Sequence, residues 1–121
     1  MLLKGRMIDM NFYDNINNLA NSFKQTDEYK EYMELKTELK TDEKTYNMLK
    51  DFKDKQNQIQ IDYINGKEMA KETQSEMENL YSILIQNEKC KRILECEMRI
   101  NVILSDLQKV IGEAVEELVK F

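Results

Sequence analysis

Apolar residues recur along this chain at intervals of three and four positions, which is the spacing of one face of an α-helix. The pattern predicts a first helix from about Asn11, whose side chain is suited to capping a helix start. A second helix is predicted from Thr26, because a threonine N-cap is followed there by acidic residues that the helix dipole favours. The apolar positions of these two helices are Phe12, Ile16, Leu19, Ala20, Phe23, Tyr29, Tyr32, Met33, Leu35 and Leu39.

Longer helices follow. The sequence Thr41-Asp42-Glu43 repeats the helix-start pattern of residues 26–28 and predicts a helix from Asp42 to Asn65. Asn65-Gly66 predicts a chain reversal, because glycine most easily adopts the left-handed conformation that ends a helix. The return segment is predicted to be helical from about Glu68 to Gln86. The next two residues, an asparagine and a glutamate, mark either a helix cap or a kink.

The last helix has the most regular pattern and is predicted to continue to the C-terminus. A helix of ~32 residues would be ~48 Å long, whereas a compact globule of this size has a radius of gyration of ~14 Å. The long helices must therefore cover each other, a second chain, or both. The apolar face of the last helix consists of Ile93, Ile100, Leu104, Leu107, Ile111, Ala114 and Leu118.

These elements predict an all-α fold in which short N-terminal helices precede a long antiparallel helical hairpin. The hairpin resembles a coiled coil and is predicted to dimerise through its long helices. Residues 1–10 have no periodic pattern and are predicted to form a flexible lead-in, so that residues 11–121 make a single helical domain. The predicted self-interface residues are Ile100, Leu104, Leu107 and Ile111.

Composition supports the helical fold and argues against several functions. The 121 residues include no proline and three glycines, too few turn-forming residues for a β-sandwich or an α/β fold. The net charge of −5 argues against binding to nucleic acid or to a membrane surface, since both need a basic face. No apolar run approaches the length of about 18 residues that spans a membrane. No secretory signal is recognisable, so we expect a cytoplasmic protein.

The sequence has no histidine, and it therefore lacks the usual general base at neutral pH and the histidine ligands of di-iron bundles. We expect no enzymatic activity and assign no catalytic residue. Cys90 and Cys96 leave one alternative open, a metal or iron–sulfur sensor. Two side chains six residues apart on a helix diverge by about 240°, so buried free thiols are the favoured interpretation. No metal or other cofactor is expected.

Glu97 occupies an apolar position of the last helix's repeat, so its carboxylate is expected to face the seam between helices. A carboxylate at such a position needs a basic partner, either Arg99 or a residue of another helix. With Glu95, these residues form a candidate interhelical polar site. An ion pair that sets the helix register, or a local kink, is the favoured interpretation.

The methionines leave a second alternative, a holdase-like chaperone with an adaptable Met-rich surface. The chain has eight methionines, and methionine at helical spacing usually fills a core. Core packing is therefore the favoured interpretation. The methionines that could form either such a surface or part of the core include Met33, Met48, Met69, Met77 and Met98.

The order of several short motifs along this sequence resembles the YlbF/YmcA family, and its YheA-like branch in particular. In the N-terminal half these motifs are Asn11-Phe12-Tyr13-Asp14, Asp27-Glu28-Tyr29, and Thr41-Asp42-Glu43 followed by Phe52. In the C-terminal half they are Asn87-Glu88, Leu94 to Arg99, and Glu116-Glu117-Leu118. The resemblance covers about residues 10–119, and it depends on the ordered series rather than on any single motif.

The resemblance implies a small helical protein of the bacterial cytoplasm that dimerises through long helices and regulates without enzymatic activity. YlbF and YmcA act with a third protein, YaaT, in competence, sporulation and biofilm formation, through phosphorelay and RNase Y-dependent mRNA processing. The resemblance therefore implies partners of the YlbF, YmcA and YaaT type besides a second copy of this chain. YlbF and YmcA have C-terminal tails with cysteines associated with an iron–sulfur cluster. This sequence has no such tail, so that cofactor is not carried over.

Overall fold

The computed structural model describes residues 10–121, and within this range the chain forms five α-helices and no β-strand. The all-α prediction is thus confirmed for the described residues, none of whose helices is long and apolar enough to cross a membrane. The predicted lead-in, residues 1–10, lies outside this range apart from Met10, which begins the first helix. The helices are α1 (Met10–Lys24), α2 (Asp27–Leu39), α3 (Glu43–Ile64), α4 (Lys71–Leu84) and α5 (Glu88–Val119).

Side chains cap the starts of α2 and α3 close to the predicted positions. The Thr26 hydroxyl oxygen accepts a hydrogen bond of 3.2 Å from the Tyr29 backbone N–H, which satisfies one of the unpaired donors at the start of α2. At α3 the cap is Asp42 rather than Thr41. The Asp42 carboxylate accepts hydrogen bonds from both the backbone N–H and the hydroxyl of Thr45, at 3.2 and 2.6 Å.

The reversal between α3 and α4 occurs at Gly66, as predicted. Gly66 has a φ of 84°, in the left-handed region where any other side chain would be strained. α4 begins at Lys71 rather than at Glu68, because the segment after the turn is irregular. The Asn87 side chain caps α5 by accepting a hydrogen bond of 3.1 Å from the Cys90 N–H. Of the two predicted alternatives for residues 87–88, a helix cap or a kink, the structure has the cap.

The core lies where α2 packs along the first part of α5, beside α3 and α4, which pack against each other. All buried residues of α5 fall between Cys90 and Cys96. The remainder of α5, residues 97–119, therefore extends past the core. The buried residues are Leu35, Leu39, Leu49, Phe52, Leu84, Cys90, Ile93, Leu94 and Cys96.

α1 stands apart from this core. No residue of α1 is buried, and at its C-terminal end the rings of Phe23 and Tyr29 meet edge to face with centroids 5.2 Å apart. The two short N-terminal helices therefore differ in their environment. α2 contributes Leu35 and Leu39 to the core, whereas the apolar face of α1 is largely exposed.

Candidate interaction surface

The apolar face of α5 that forms part of the core continues past it. Spacings of three and four residues alternate along this face, as in helices that pack side by side with a seven-residue repeat. The predicted self-interface residues on this continuation are Ile100, Leu104, Leu107 and Ile111. Leu104 and Ile111 are 37% and 54% exposed, and the other two are half-buried. The structure thus places these residues on a helix face that the core leaves largely exposed, and their role in self-association stays a prediction.

α1 and α5 together form an apolar groove of about 400 Å³. The apolar side chains that line it are Ile16, Leu19, Ala20 and Phe23 of α1 with Ile103, Leu104 and Leu107 of α5. Both apolar stripes are visible in the sequence. Periodicity cannot say which helix faces which, so the groove itself was not predicted. Its walls are suited to another apolar surface rather than to a polar ligand.

The protein exposes more surface than a compact chain of its mass requires. Its accessible surface is 9945 Å², whereas a folded monomer of this mass exposes about 6,900 Å². Residues 1–9 cannot account for the whole difference, because nine residues expose at most about 1,500 Å² even in an extended chain. At least about 1,500 Å² of extra surface therefore belongs to the described helices. Obligate interfaces bury about 1,000–2,500 Å² per partner.

Charged side chains connect α2 to α5 at the edge of the core. The Glu31 carboxylate accepts a hydrogen bond of 2.8 Å from the Arg92 guanidinium and lies 3.7 Å from that of Arg99. The Arg92 guanidinium and the Cys96 thiol lower the pKa of the Glu31 carboxyl, since hydrogen bonds stabilise its charged form. Arg99 also donates to the Cys96 sulfur at 3.4 Å. Sequence reasoning missed Glu31 and Arg92, because a charged residue on a polar helix face has no local signal for its partner.

The three residues of the candidate polar site take part in different contacts. Glu97 forms a half-buried ion pair with Lys53 of α3, so its partner comes from another helix. Arg99 lies beside Glu31 instead, and Glu95 is exposed. The structure therefore places Glu97 at a contact between α3 and α5, and Arg99 at the contact between α2 and α5.

We expect Glu97→Gln to lower the free energy of unfolding by about 1 kcal/mol, because it leaves the Lys53 ammonium half-buried without a counter-charge. Urea unfolding of both single variants and of the double variant Glu97→Gln/Lys53→Gln measures the coupling energy. The effects of the two single changes should not add, and the coupling should weaken in high salt. Strict additivity would show that the two side chains do not interact in solution.

A cleft of about 690 Å³ is lined in part by this ion pair. Four of the ten residues that line it have amide side chains, namely Gln56, Asn57, Gln60 and Asn101, and the others include Lys67 and Tyr63. The Lys53 ammonium also donates a hydrogen bond of 3.1 Å to the Gln56 side-chain oxygen. Amides donate and accept hydrogen bonds, but they supply neither a nucleophile nor a general base at neutral pH.

Both cysteines are free and have no exposed surface. Burial raises the pKa of the Cys90 thiol and that of the Cys96 thiol, since poorly solvated surroundings disfavour a thiolate. Between residues 10 and 121 no three His, Cys, Asp or Glu side chains are grouped as metal ligands. The metal-sensor alternative therefore finds no ligand set in this part of the chain. The two thiols have the burial expected of inert core cysteines.

We expect native Cys90 and Cys96 to react on the order of a hundredfold more slowly with a thiol reagent than in urea, because reaction requires opening of the core. Their raised pKa values also predict a pH effect. Their contribution to stability is complete below the unfolded thiol pKa of about 8.5 and is lost as pH rises through the folded value. As the pH rises above the unfolded thiol pKa, the free energy of unfolding of the wild-type protein should fall. It should fall less steeply in the Cys90→Ala/Cys96→Ala variant. Rapid labelling of both thiols in the native protein would contradict this prediction.

The methionines considered above do not gather on one helix. Met33 lies on α2, Met48 on α3, Met77 on α4 and Met98 on α5, while Met69 precedes α4. Met48 and Met77 pack against the core, in agreement with the core-packing interpretation. The chaperone alternative stays untested for the others.

Comparisons with known proteins place similarity over nearly the whole chain. The family model described as control of competence regulator ComK, YlbF/YmcA, matches residues 12–116. A UPF0342 protein of Desulfitobacterium hafniense is 38% identical over 88% of this chain and 86% of the relative. One of Symbiobacterium thermophilum is 35% identical over 86% and 93%. The UPF0342 protein YheA of Bacillus subtilis is 28% identical over 90% and 93%. The family match begins in α1 and ends in α5, so it includes both walls of the apolar groove.

Proposed function

We propose, because this chain belongs to the YlbF/YmcA family, that it is a non-enzymatic regulatory or adaptor protein of the bacterial cytoplasm. It acts through contacts between its helices and other proteins. In this proposal the long helices pair as an antiparallel hairpin, and the chain is a homodimer joined along α5. Regulatory proteins of the YlbF, YmcA and YaaT type are its partners.

The observation that supports this proposal best is the exposed apolar face of α5 beyond the core. Leu104 and Ile111 lie on the same side of the helix as the buried Ile93 but are 37% and 54% exposed. An apolar face of this length on a water-soluble helix marks an interaction site. The excess of accessible surface supports the same conclusion, because it amounts to the area that one partner contributes to an obligate interface.

Charge also favours a partner protein over other ligands. The chain has a net charge of −5 and no histidine, and the groove between α1 and α5 is lined by apolar side chains with Ser22 and Thr26. A nucleic acid or an anionic membrane needs basic residues at the contact. An apolar helix face instead fits another helix with a complementary apolar stripe.

The test is a pull-down from the native bacterium with the full chain tagged after Phe121, followed by mass spectrometry. Wild-type protein and two variants, Leu104→Asp and Ser105→Asp, are compared. Both variants add one negative charge at neighbouring positions, but Ser105 points away from the apolar face of α5. Recovery of YlbF-, YmcA- or YaaT-type proteins with wild type and Ser105→Asp, and their loss with Leu104→Asp, supports the adaptor role. Recovery of this chain alone from all three strains would overturn it.

A further inference from the structure

We propose that α1 supplies the second half of the self-interface, so that α1 and α5 of one copy pack against α1 and α5 of another as four helices. This inference rests on the self-association that the proposed function includes. It goes further by assigning an interface role to Ile16 and Leu19, which lie outside the predicted self-interface on α5.

The first argument is the exposed state of α1. This helix has 15 residues, and none of them is buried. Ile16 and Leu19 are 45% and 47% exposed, although they lie on one apolar stripe of the helix. A helix of this length is marginal in water without packing of its apolar face. The contact between Phe23 and Tyr29 lies at the C-terminal end of α1, and a further surface over Ile16 and Leu19 would bury the apolar area that they expose.

The second argument is the width of the apolar face on α5. Two-stranded coiled coils have a narrow apolar seam, and the positions beside that seam are usually charged. In α5 three of the six flanking positions between residues 101 and 117 are apolar, namely Ile103, Val110 and Val115, and the other three are polar. Val110 and Val115 are 65% and 50% exposed. These three residues widen the apolar face beyond a two-helix seam, and two helices from a second copy would cover more of it than a single helix would.

A second copy of this chain fits this surface because the same patch can face itself across a two-fold axis. Between residues 100 and 115 the charged residues are Asp106, Lys109 and Glu113, and they fall on the opposite side of α5 by helical geometry. Two copies that each have a net charge of −5 can therefore meet along this part of α5 without like charges facing each other at the contact. The extra surface of at least about 1,500 Å² per chain also exceeds the ~800 Å² per partner of a standard interface.

The experiment is sedimentation equilibrium of the full chain over a range of concentrations. Leu19→Asp is compared with its neighbour Asn18→Asp, which adds the same charge on the opposite side of α1. We expect Leu19→Asp to raise the dimer dissociation constant about tenfold or more. Asn18→Asp should leave it within a factor of about two, as for a surface change outside the interface. The same measurement on Leu104→Asp tests the contribution of α5.

Amide hydrogen exchange separates a role between chains from a role within one chain. In wild-type protein, α1 exchange should slow as concentration rises through the dissociation constant, because α1 becomes covered only in the dimer. If Leu19→Asp leaves that constant unchanged, or if α1 exchange does not depend on concentration, the α1 proposal is overturned while α5 self-association stands. A wild-type chain that stays monomeric overturns self-association altogether, and a Leu104→Asp dimer of wild-type strength overturns the interface through both α1 and α5.

Discussion

Replacing Leu39 by alanine is expected to lower the free energy of unfolding by about 3 kcal/mol, within the range of about 2–5 kcal/mol for a leucine truncated in a packed core. Leu39 is 1% exposed at the end of α2 and belongs to the cluster that joins α2 and α5 to α3 and α4. The shortened side chain loses buried apolar area and leaves a cavity that the surrounding helices fill only partly. Urea unfolding followed by circular dichroism measures the change. All samples must be at one protein concentration, since self-association would add to stability.

The control for this prediction is Ile64→Ala at the end of α3. Ile64 is 79% exposed and lies outside the α1–α5 surface, so the same kind of truncation should change stability by less than about 0.5 kcal/mol. Equal effects of the two substitutions would show that the core is not centred on the contact of α2 with α5.

Replacing Leu104 by aspartate is expected to abolish self-association while the helices remain folded. Leu104 lies on the apolar face of α5 and lines the groove with α1, yet it is already 37% exposed within one chain. A carboxylate there can remain hydrated in the monomer but would be buried without a partner in the dimer, at a cost of several kcal/mol. Sedimentation equilibrium should give the mass of a single chain, with a helical circular dichroism spectrum like that of wild type.

Ser105→Asp serves as the matched control for this second prediction, because it introduces the same charge one residue further along α5. Its side chain projects away from the apolar face, so the mass should stay that of the wild-type assembly. A Leu104→Asp protein that keeps the wild-type mass would show that this face of α5 is not the self-interface. Loss of association in both variants would point to net charge rather than to burial as the cause.

The starts and ends of the helices were largely predictable because capping is local chemistry. Thr26 and Asn87 accept hydrogen bonds from N–H groups three residues ahead, and Gly66 has the positive φ that the turn requires. The prediction was less accurate at Asp42, since two adjacent residues of the repeated pattern are both good caps. It was also less accurate at the start of α4, where no capping side chain marks the boundary.

The family resemblance noted from the sequence is confirmed by the match over residues 12–116 and by the YheA-type relatives. Part of that resemblance has a structural explanation. The motif from Leu94 to Arg99 contains two buried residues, Leu94 and Cys96. It also contains Glu97 and Arg99, which connect α5 to two other helices. A short segment that contacts two other helices restricts the side chains that fit.

The contacts between helices were not predictable in the same way. Periodicity showed that Glu97 faces a seam and needs a cation, but it could not choose between Arg99 and a residue of another helix. Lys53 is 44 positions away in the sequence, and nothing local relates the two. The contact of Glu31 with Arg92 was not predictable for the same reason, since no local pattern relates residues so far apart in the sequence.

The sequence by itself determined that this chain is helical, where most of its helices begin and end, and which side of each helix is apolar. These properties depend on interactions between residues within a few positions of one another, such as caps, turns and the 3.6-residue period. Only the tertiary structure decided that α2 packs along α5, that the core stops near Cys96, and that α1 and distal α5 share an exposed apolar groove. Those outcomes depend on which apolar faces bury the most surface together, and many pairings of amphipathic helices satisfy the same local pattern.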